Sequence, residues 1–130
     1  MRRPLLVLVA ALALVGAFAG GLAWLLDSPK PPPAASRSER LYYAFCVDCH
    51  GRDGRGSWRA VLFLIRPGDL TGSPGTRASS DRYLADIITH GGAPIGRPGM
   101  PAFGAQLSDA DVAELVRYLR ALGDGRSAPR

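Results

Sequence analysis

A run of 22 residues without a charged side chain, Leu5–Leu26, decides what the N-terminal part of this chain can be. At about 1.5 Å per residue, a helix over this run spans roughly 33 Å, enough to cross the hydrocarbon core of a bilayer. Arg2 and Arg3 precede the run, and basic residues favour the cytoplasmic side. We therefore predict a single-pass membrane helix over residues 1–26. The N-terminus would lie in the cytoplasm and the rest of the chain on the periplasmic side.

A cleaved signal peptide is the alternative interpretation of the same segment. The basic start, the apolar stretch and the sequence Ala17-Phe18-Ala19 together resemble a cleavage signature. The apolar run nevertheless continues through Leu22–Leu26, and Trp24 suits a membrane interface. We favour an uncleaved anchor in the cytoplasmic membrane. Under either interpretation, the main body of the chain is exported.

The rest of the chain divides into a short linker, one domain and a tail. Residues 27–35 are rich in proline, which favours an extended conformation, so this linker reaches at most about 28 Å. It would hold the following domain beside the membrane. The domain is predicted over residues 36–124, and residues 125–130 are predicted to form a flexible tail.

Three segments of the domain carry helical patterns, and no strand pattern is evident, so the fold class is predicted to be all-α. The first helix opens at Ser36, with Glu39 as its capping-box partner, and the third opens at Ser108, with Asp111 three residues on. The second begins near Ser79-Ser80-Asp81 and stops at Gly91-Gly92. The apolar positions are Leu41, Tyr42, Phe45 and Cys49 in the first helix, Tyr83, Leu84, Ile87 and Ile88 in the second, and Val112, Leu115, Val116, Leu119 and Leu122 in the third.

Long loops rich in glycine and proline separate these helices, over Gly51–Ala78 and Gly91–Leu107. Within the first loop, Val61–Ile65 is an apolar run that we interpret as a short buried or helical piece. About 89 residues with so much loop bury little apolar surface, and small domains of this kind often use a metal or cofactor as part of the core.

Composition excludes several functions. The formal net charge is +5, but the arginines form neither a run nor a stripe with interleaved aromatics, which argues against nucleic-acid binding. The two cysteines lie within five residues of each other, so a scaffold held by several disulfides is excluded.

The motif Cys46-Val47-Asp48-Cys49-His50 matches the pattern Cys-x-x-Cys-His, which attaches c-type haem. Two thiols three residues apart can form thioethers to the two vinyl groups of one porphyrin. His50 is then held under the iron as an axial ligand. A thioredoxin-like dithiol, a zinc site and a plain disulfide are the alternatives. The dithiol would need a βαβ pattern, and zinc would need two further ligands where only His90 remains.

Met100 is predicted to be the second axial ligand of the iron. It is the only methionine besides Met1, and it lies in the loop sequence Gly99-Met100-Pro101. A residue before proline is biased toward extended backbone, which can hold the thioether outward. His90 is the rival ligand, although its place in the last turn of the second helix is explained by the helix dipole.

These residues resemble those of a class I cytochrome c in its bacterial membrane-anchored form. The resemblance rests on Tyr42–Gly56, Pro67–Thr71, Gly99–Phe103 and the last helix, and it covers about residues 36–122. It implies three main helices with long loops around one covalent haem, the first and last helices crossing. Tyr42 and Phe45 would then pack on Leu115, Tyr118 or Leu119. It also implies that a backbone carbonyl, that of Pro67 or Gly68, supports the imidazole of His50.

An iron with His50 and Met100 on its two faces has no open coordination position, which indicates a one-electron carrier rather than an enzyme. The alternative is a catalytic or gas-sensing haem in which Met100 is displaced. The expected partners are redox proteins at the membrane, including a larger respiratory complex that would contain this chain as its haem subunit. Five arginines in the loops have two interpretations: they steer an acidic partner, or they are solvated charge that pairs in part with Asp48, Asp53 or Asp69 or with haem propionates. They are Arg52, Arg55, Arg59, Arg66 and Arg97.

Overall fold

The structure is a computed structural model and describes residues 2–71 and 78–125. Within these ranges the chain is helical and contains no strand, which confirms the all-α prediction. The helices are α1 (Arg2–Leu26), α2 (Arg37–Phe45), α3 (Val47–His50), α4 (Trp58–Leu62), α5 (Asp81–His90) and α6 (Asp109–Gly123), with a 3₁₀ turn over Ala93–Ile95. Residues 72–77 of the first predicted loop and residues 126–130 of the predicted tail lie outside the described residues.

α1 is long and apolar enough to cross a membrane, and none of its residues is buried against the rest of the chain. A signal sequence near the N-terminus has the same length and composition.

Serines start four helices of the domain, α2, α4, α5 and α6, and the sequence predicts the starts of α2, α5 and α6. The side chains of Ser36, Ser80 and Ser108 each accept a hydrogen bond from the backbone N–H three residues on, at 3.1, 3.1 and 3.2 Å. Such bonds satisfy N–H groups that have no partner within the helix. In α6 the capping box is complete, because the backbone N–H of Ser108 also donates to Asp111 Oδ2 at 3.3 Å.

The predicted first helix is divided in two by the structure. α2 ends at Phe45, and Cys46, with φ −119° and ψ −33°, caps both α2 and α3. Cys49 therefore lies on the separate turn α3 rather than on the apolar face of α2. The motif therefore lies on a helical turn of its own.

The core lies where α6 packs against α2 and α5. Tyr42 is fully buried in α2, and its ring lies 5.1 Å from that of Tyr118 in α6. This is the crossing of first and last domain helices that the resemblance implies. Phe45 packs edge-on against Phe103, with ring centroids 5.6 Å apart. The other buried core residues of α5 and α6 are Leu84, Ile88, Val112, Leu115, Val116 and Leu119.

The apolar run Val61–Ile65 is partly helical, as predicted, but it is not buried. Its first two residues end α4, whose single buried residue is Ala60. Ala60 is the residue of α4 that lies toward the core, and the four residues that follow it face outward. Leu64 has φ +58°, a left-handed conformation that is uncommon for a leucine.

Candidate haem site

The motif lies on one helical turn. The backbone N–H groups of His50 and Gly51 donate to the carbonyls of Cys46 and Val47, both at 2.8 Å. Because residues three apart share a face of a helix, this turn brings Cys46 and Cys49 together, with His50 next to them. Both thiols are free and partly exposed. The geometry therefore offers two thiols and one imidazole from a single turn.

The surroundings of the thiols keep them protonated. Burial, with a smaller contribution from Cys49, raises the pKa of Cys46 to about 12. Burial and then Asp48 raise the pKa of Cys49. A redox-active dithiol needs a lowered pKa on its attacking cysteine, so this environment argues against thioredoxin-like exchange.

A structural zinc site is also not supported. Within residues 2–71 and 78–125, no group of three His, Cys, Asp or Glu side chains is arranged to hold a metal ion. His90 is exposed on α5, and its Nδ1 lies 2.9 Å from Asp86 Oδ1. This pairing near the C-terminus of the helix explains His90 as a surface residue.

The imidazole of His50 is oriented by the backbone. Its Nδ1 lies 3.2 Å from the carbonyl oxygen of Gly68, which can only accept, so Nδ1–H donates and the lone pair of Nε2 faces away. Burial lowers the pKa of His50, and the bond to Gly68 partly opposes this effect. The sequence left Pro67 and Gly68 as equal candidates for this carbonyl, and the structure identifies Gly68.

Met100 lies in a turn held by three backbone contacts. Its N–H donates to the carbonyl of Arg97 at 3.1 Å, and its carbonyl accepts from Gly92 at 3.0 Å. Gly91 approaches this turn so closely that an added Cβ would lie 2.9 Å from the Met100 carbonyl oxygen. The Met100 side chain is partly buried against the core. Backbone hydrogen bonds therefore fix the main chain at Met100, although this residue lies outside the helices.

The loop that carries Met100 borders the segment that supports His50. A Cβ placed on Gly99 would lie 3.4 Å from the side chain of Ile65, and one on Gly68 would lie 3.3 Å from Arg97 Nη1. The Met100 turn and the acceptor of His50 are thus neighbours, although 32 residues separate Gly68 from Met100 in the chain.

The donor set fits one covalent haem. Two thiols at i and i+3, an imidazole with a free Nε2 and a thioether are the groups that a c-type haem uses for attachment and axial ligation. Cys46 and Met100 both pack against the same apolar cluster, which provides the low-polarity surroundings of such a site. A separate cleft of about 640 Å³ lies between the end of α1 and the motif loop, and none of these four side chains lines it.

Sequence reasoning missed the contact between Tyr42 and Gly51. The buried hydroxyl of Tyr42 donates to the carbonyl oxygen of Gly51 at 2.7 Å, joining α2 to the residue that follows His50. The sequence places Tyr42 only on an apolar face. A tyrosine rather than a phenylalanine at the most buried position was the available signal, because a buried hydroxyl needs a partner.

Fold and motif together define the domain as a c-type cytochrome domain. The family model that describes cytochrome c oxidase, cbb3-type, subunit III matches residues 33–119. The chain belongs to this family.

Two curated relatives carry related names. The chain is 27% identical over 99 residues to the cbb3-type cytochrome c oxidase subunit FixP of Azorhizobium caulinodans. It is 31% identical over 96 residues to the cbb3-type cytochrome c oxidase subunit CcoP of Azospirillum brasilense. These matches cover 76% and 72% of the chain but only 31% and 30% of the relatives. The chain thus spans about a third of the length of the curated relatives that it matches.

A solved structure supports the fold. The c-type cytochrome KustC0563 superposes with a TM-score of 0.52 at 24% sequence identity, covering 63% of this chain and 92% of that protein. At this level of identity the likeness concerns the fold alone.

Proposed function

We propose that the chain is a membrane-anchored one-electron carrier with a single covalent haem. A haem iron that alternates between ferrous and ferric states supplies the redox chemistry. The thiols of Cys46 and Cys49 would add across the two vinyl groups and form one thioether each. The observation that carries the proposal is the hydrogen bond from Nδ1–H of His50 to the carbonyl oxygen of Gly68, because His50 lies on the same helical turn as the two cysteines.

His50 and Met100 would fill both axial positions through Nε2 and Sδ. Nδ1–H of His50 donates to Gly68, which fixes the ring and raises the basicity of Nε2. The thioether of Met100 favours the ferrous state and so raises the reduction potential. With both positions filled, small molecules have no coordination site at rest. This arrangement suits electron transfer rather than catalysis or gas sensing.

Replacing Met100 tests the ligation and the function together. In Met100→Ala, one face of the iron loses its ligand, so we expect the reduced protein to bind carbon monoxide and the reduction potential to fall. Both are measured on the full chain, by absorption spectroscopy and by redox titration.

The matched control for this experiment is His90→Ala, which removes the rival imidazole. We expect it to bind no carbon monoxide and to keep the potential of the native protein. Carbon monoxide binding by the reduced native protein would contradict the carrier proposal and favour the catalytic or sensing alternative.

We further propose that the domain faces the periplasm and exchanges electrons within a respiratory complex. The relatives named as cbb3-type oxidase subunits support this partner class. Arg59 is largely enclosed by contacts with Asp48 and the end of α1, so steering of an acidic partner would depend on the exposed residues Arg52, Arg55, Arg66 and Arg97. Such steering would weaken as salt is added.

Co-purification in mild detergent tests the complex, and isolation of the chain alone would contradict it.

A further inference from the structure

The end of α1 is fixed to the cytochrome domain by α4. The rings of Trp24 and Trp58 stack with centroids 5.8 Å apart. Arg59 donates to the carbonyl oxygens of Trp24, at 3.5 Å, and of Asp27. The last turn of α1 has no basic residue of its own, so Arg59 supplies the cation that carbonyls at a helix C-terminus favour.

A second set of contacts holds Arg59 in this position. Its Nη1 lies 3.3 Å from Asp48 Oδ1, and its guanidinium lies 5.6 Å from the ring centre of Trp58. Ser28 in the linker donates to the other oxygen of Asp48 at 2.8 Å. Asp48 is part of the haem motif. The domain is therefore held against the end of α1 rather than suspended from it.

Four consecutive apolar residues follow this junction on the outside of the domain. Val61, Leu62, Phe63 and Leu64 are 64%, 55%, 65% and 92% exposed, and we call them the interfacial strip. Single exposed apolar residues are ordinary, whereas a contiguous patch indicates a binding surface. Arg59 and the exposed Arg66 flank the strip in sequence, and no acidic residue lies between them.

The strip begins within one short helix of the end of α1. α4 has five residues and is about 7.5 Å long, so its end lies near the stacked tryptophans. The polar interface on each side of a bilayer is about 5–8 Å thick, and tryptophan concentrates there. With Trp24 at this interface, the strip is within reach of lipid, and the exposed Arg66 can extend to a lipid phosphate.

We propose that the interfacial strip inserts into the boundary between headgroups and acyl chains of the membrane that α1 spans. The chain then contacts the bilayer twice, through α1 and through the end of α4. The orientation of the haem domain on the membrane is fixed by these two contacts. This inference rests on the proposed anchoring by α1, and it adds the lipid interface as a partner of the domain itself.

A photoreactive lipid tests the proposal on the full-length, haem-loaded chain. The protein is reconstituted alone into phosphatidylcholine vesicles that contain a phospholipid with a diazirine near the glycerol end of an acyl chain. After irradiation, lipid adducts are mapped by mass spectrometry. The exposed Tyr83 and Ile95 serve as internal controls, because they are exposed apolar residues outside the junction. We expect an adduct yield on the strip about tenfold above theirs, the change in partitioning that burial of one such side chain provides.

Trp58→Ala is the matched variant, because its exposed side chain joins α4 to α1 without entering the core. We expect it to reduce the adducts on the strip toward the level of the controls, with unchanged adducts on α1 and unchanged haem absorption. Adducts on α1 with a strip yield no higher than that of Tyr83 and Ile95 would overturn the strip proposal while leaving the anchor intact. Absence of adducts on α1 would overturn the anchoring itself, and the strip proposal with it.

Discussion

At the scale of single residues, Tyr42 connects the core to the haem motif. Its side chain is fully buried, and its hydroxyl satisfies the carbonyl of Gly51, one residue after His50. Burial raises the pKa of Tyr42 well above its ordinary value, so the hydroxyl remains a donor over the whole physiological range.

Tyr42→Phe should therefore lower stability without removing the haem. The substitution leaves a carbonyl without its donor, which costs about 1–3 kcal/mol of the free energy of unfolding. The measurement is urea unfolding of the holoprotein, followed by helical circular dichroism. Tyr43→Phe is the control, because the hydroxyl of Tyr43 makes no hydrogen bond in the described part of the chain. Equal losses in the two variants would contradict the role of this bond.

Gly91 connects the end of α5 to the Met100 turn. It has φ +79°, and an added Cβ would lie 2.9 Å from both the Met100 carbonyl oxygen and the Ala102 nitrogen. Gly96 also has a positive φ, +75°, but its ψ of 19° is left-handed helical, whereas the ψ of Gly91 is −178°. Nothing lies within 4 Å of an added Cβ at Gly96. Gly96 therefore serves as a positive-φ glycine without a close approach.

Gly91→Ala is expected to weaken ligation by Met100, and Gly96→Ala is not. Gly96→Ala carries the strain of a left-handed residue, about 1 kcal/mol in the free energy of unfolding. Gly91→Ala carries a larger strain, because its φ and ψ lie in a region that is essentially restricted to glycine. Only Gly91→Ala displaces the backbone that carries the thioether. Carbon monoxide binding to the reduced proteins is the measurement, and tight binding by both variants or by neither would show that the contact at Gly91 does not control the ligand.

At the scale of elements, Asp111 stabilises the start of α6 and its contact with α2. Its carboxylate accepts from Ser108 within the capping box and from Arg37 Nη2 at 2.6 Å, across the interface with α2. These hydrogen bonds, that from Ser108 first, lower the pKa of Asp111 below its ordinary value of 3.8. The charged form therefore stabilises the folded state. Its contribution is complete above pH 3.8 and is lost as the pH falls through the lowered pKa.

Asp111→Asn should consequently be less stable than the native chain at neutral pH, with a difference that shrinks in acid. Urea unfolding at neutral pH and below pH 3.8 measures it. Asp109→Asn, in the same first turn, keeps the capping box and should show a smaller pH dependence. A difference between native and Asp111→Asn proteins that is the same in acid and at neutral pH would contradict this account.

The helices also show which features of the fold a sequence pattern can predict. Serine caps and helical periodicity predicted the starts of α2, α5 and α6, because these signals are local. The break of the first helix at Cys46 and the exposure of Val61–Leu64 were not predicted, since both depend on packing that no local pattern records. For the site, the motif and Met100 stay predictions drawn from residue type. The choice of Gly68 over Pro67 needed the folded loop, because the acceptor is a backbone atom and every residue has one.

At the scale of the whole molecule, the fate of the N-terminus decides where the haem domain resides. We expect full-length protein that carries covalent haem in washed membranes, because α1 is long and apolar enough to remain in a bilayer. Haem-stained denaturing gels of membrane and periplasmic fractions measure both the covalent bond and the mobility. The control is the double variant Cys46→Ser with Cys49→Ser, which should lose the haem stain because neither thiol remains. A shorter stained band in the soluble fraction would instead mean a cleaved signal and a diffusible carrier.

The backbone bond behind His50 has a consequence for how this sequence can change over evolutionary time. Because the acceptor is the carbonyl of residue 68, no exchange of side chain there deletes it. An alanine at Gly68 would meet only the flexible end of Arg97, at 3.3 Å. The loop can therefore accumulate substitutions while the ring of His50 keeps its partner. The support of this imidazole is therefore insensitive to which side chain residue 68 carries.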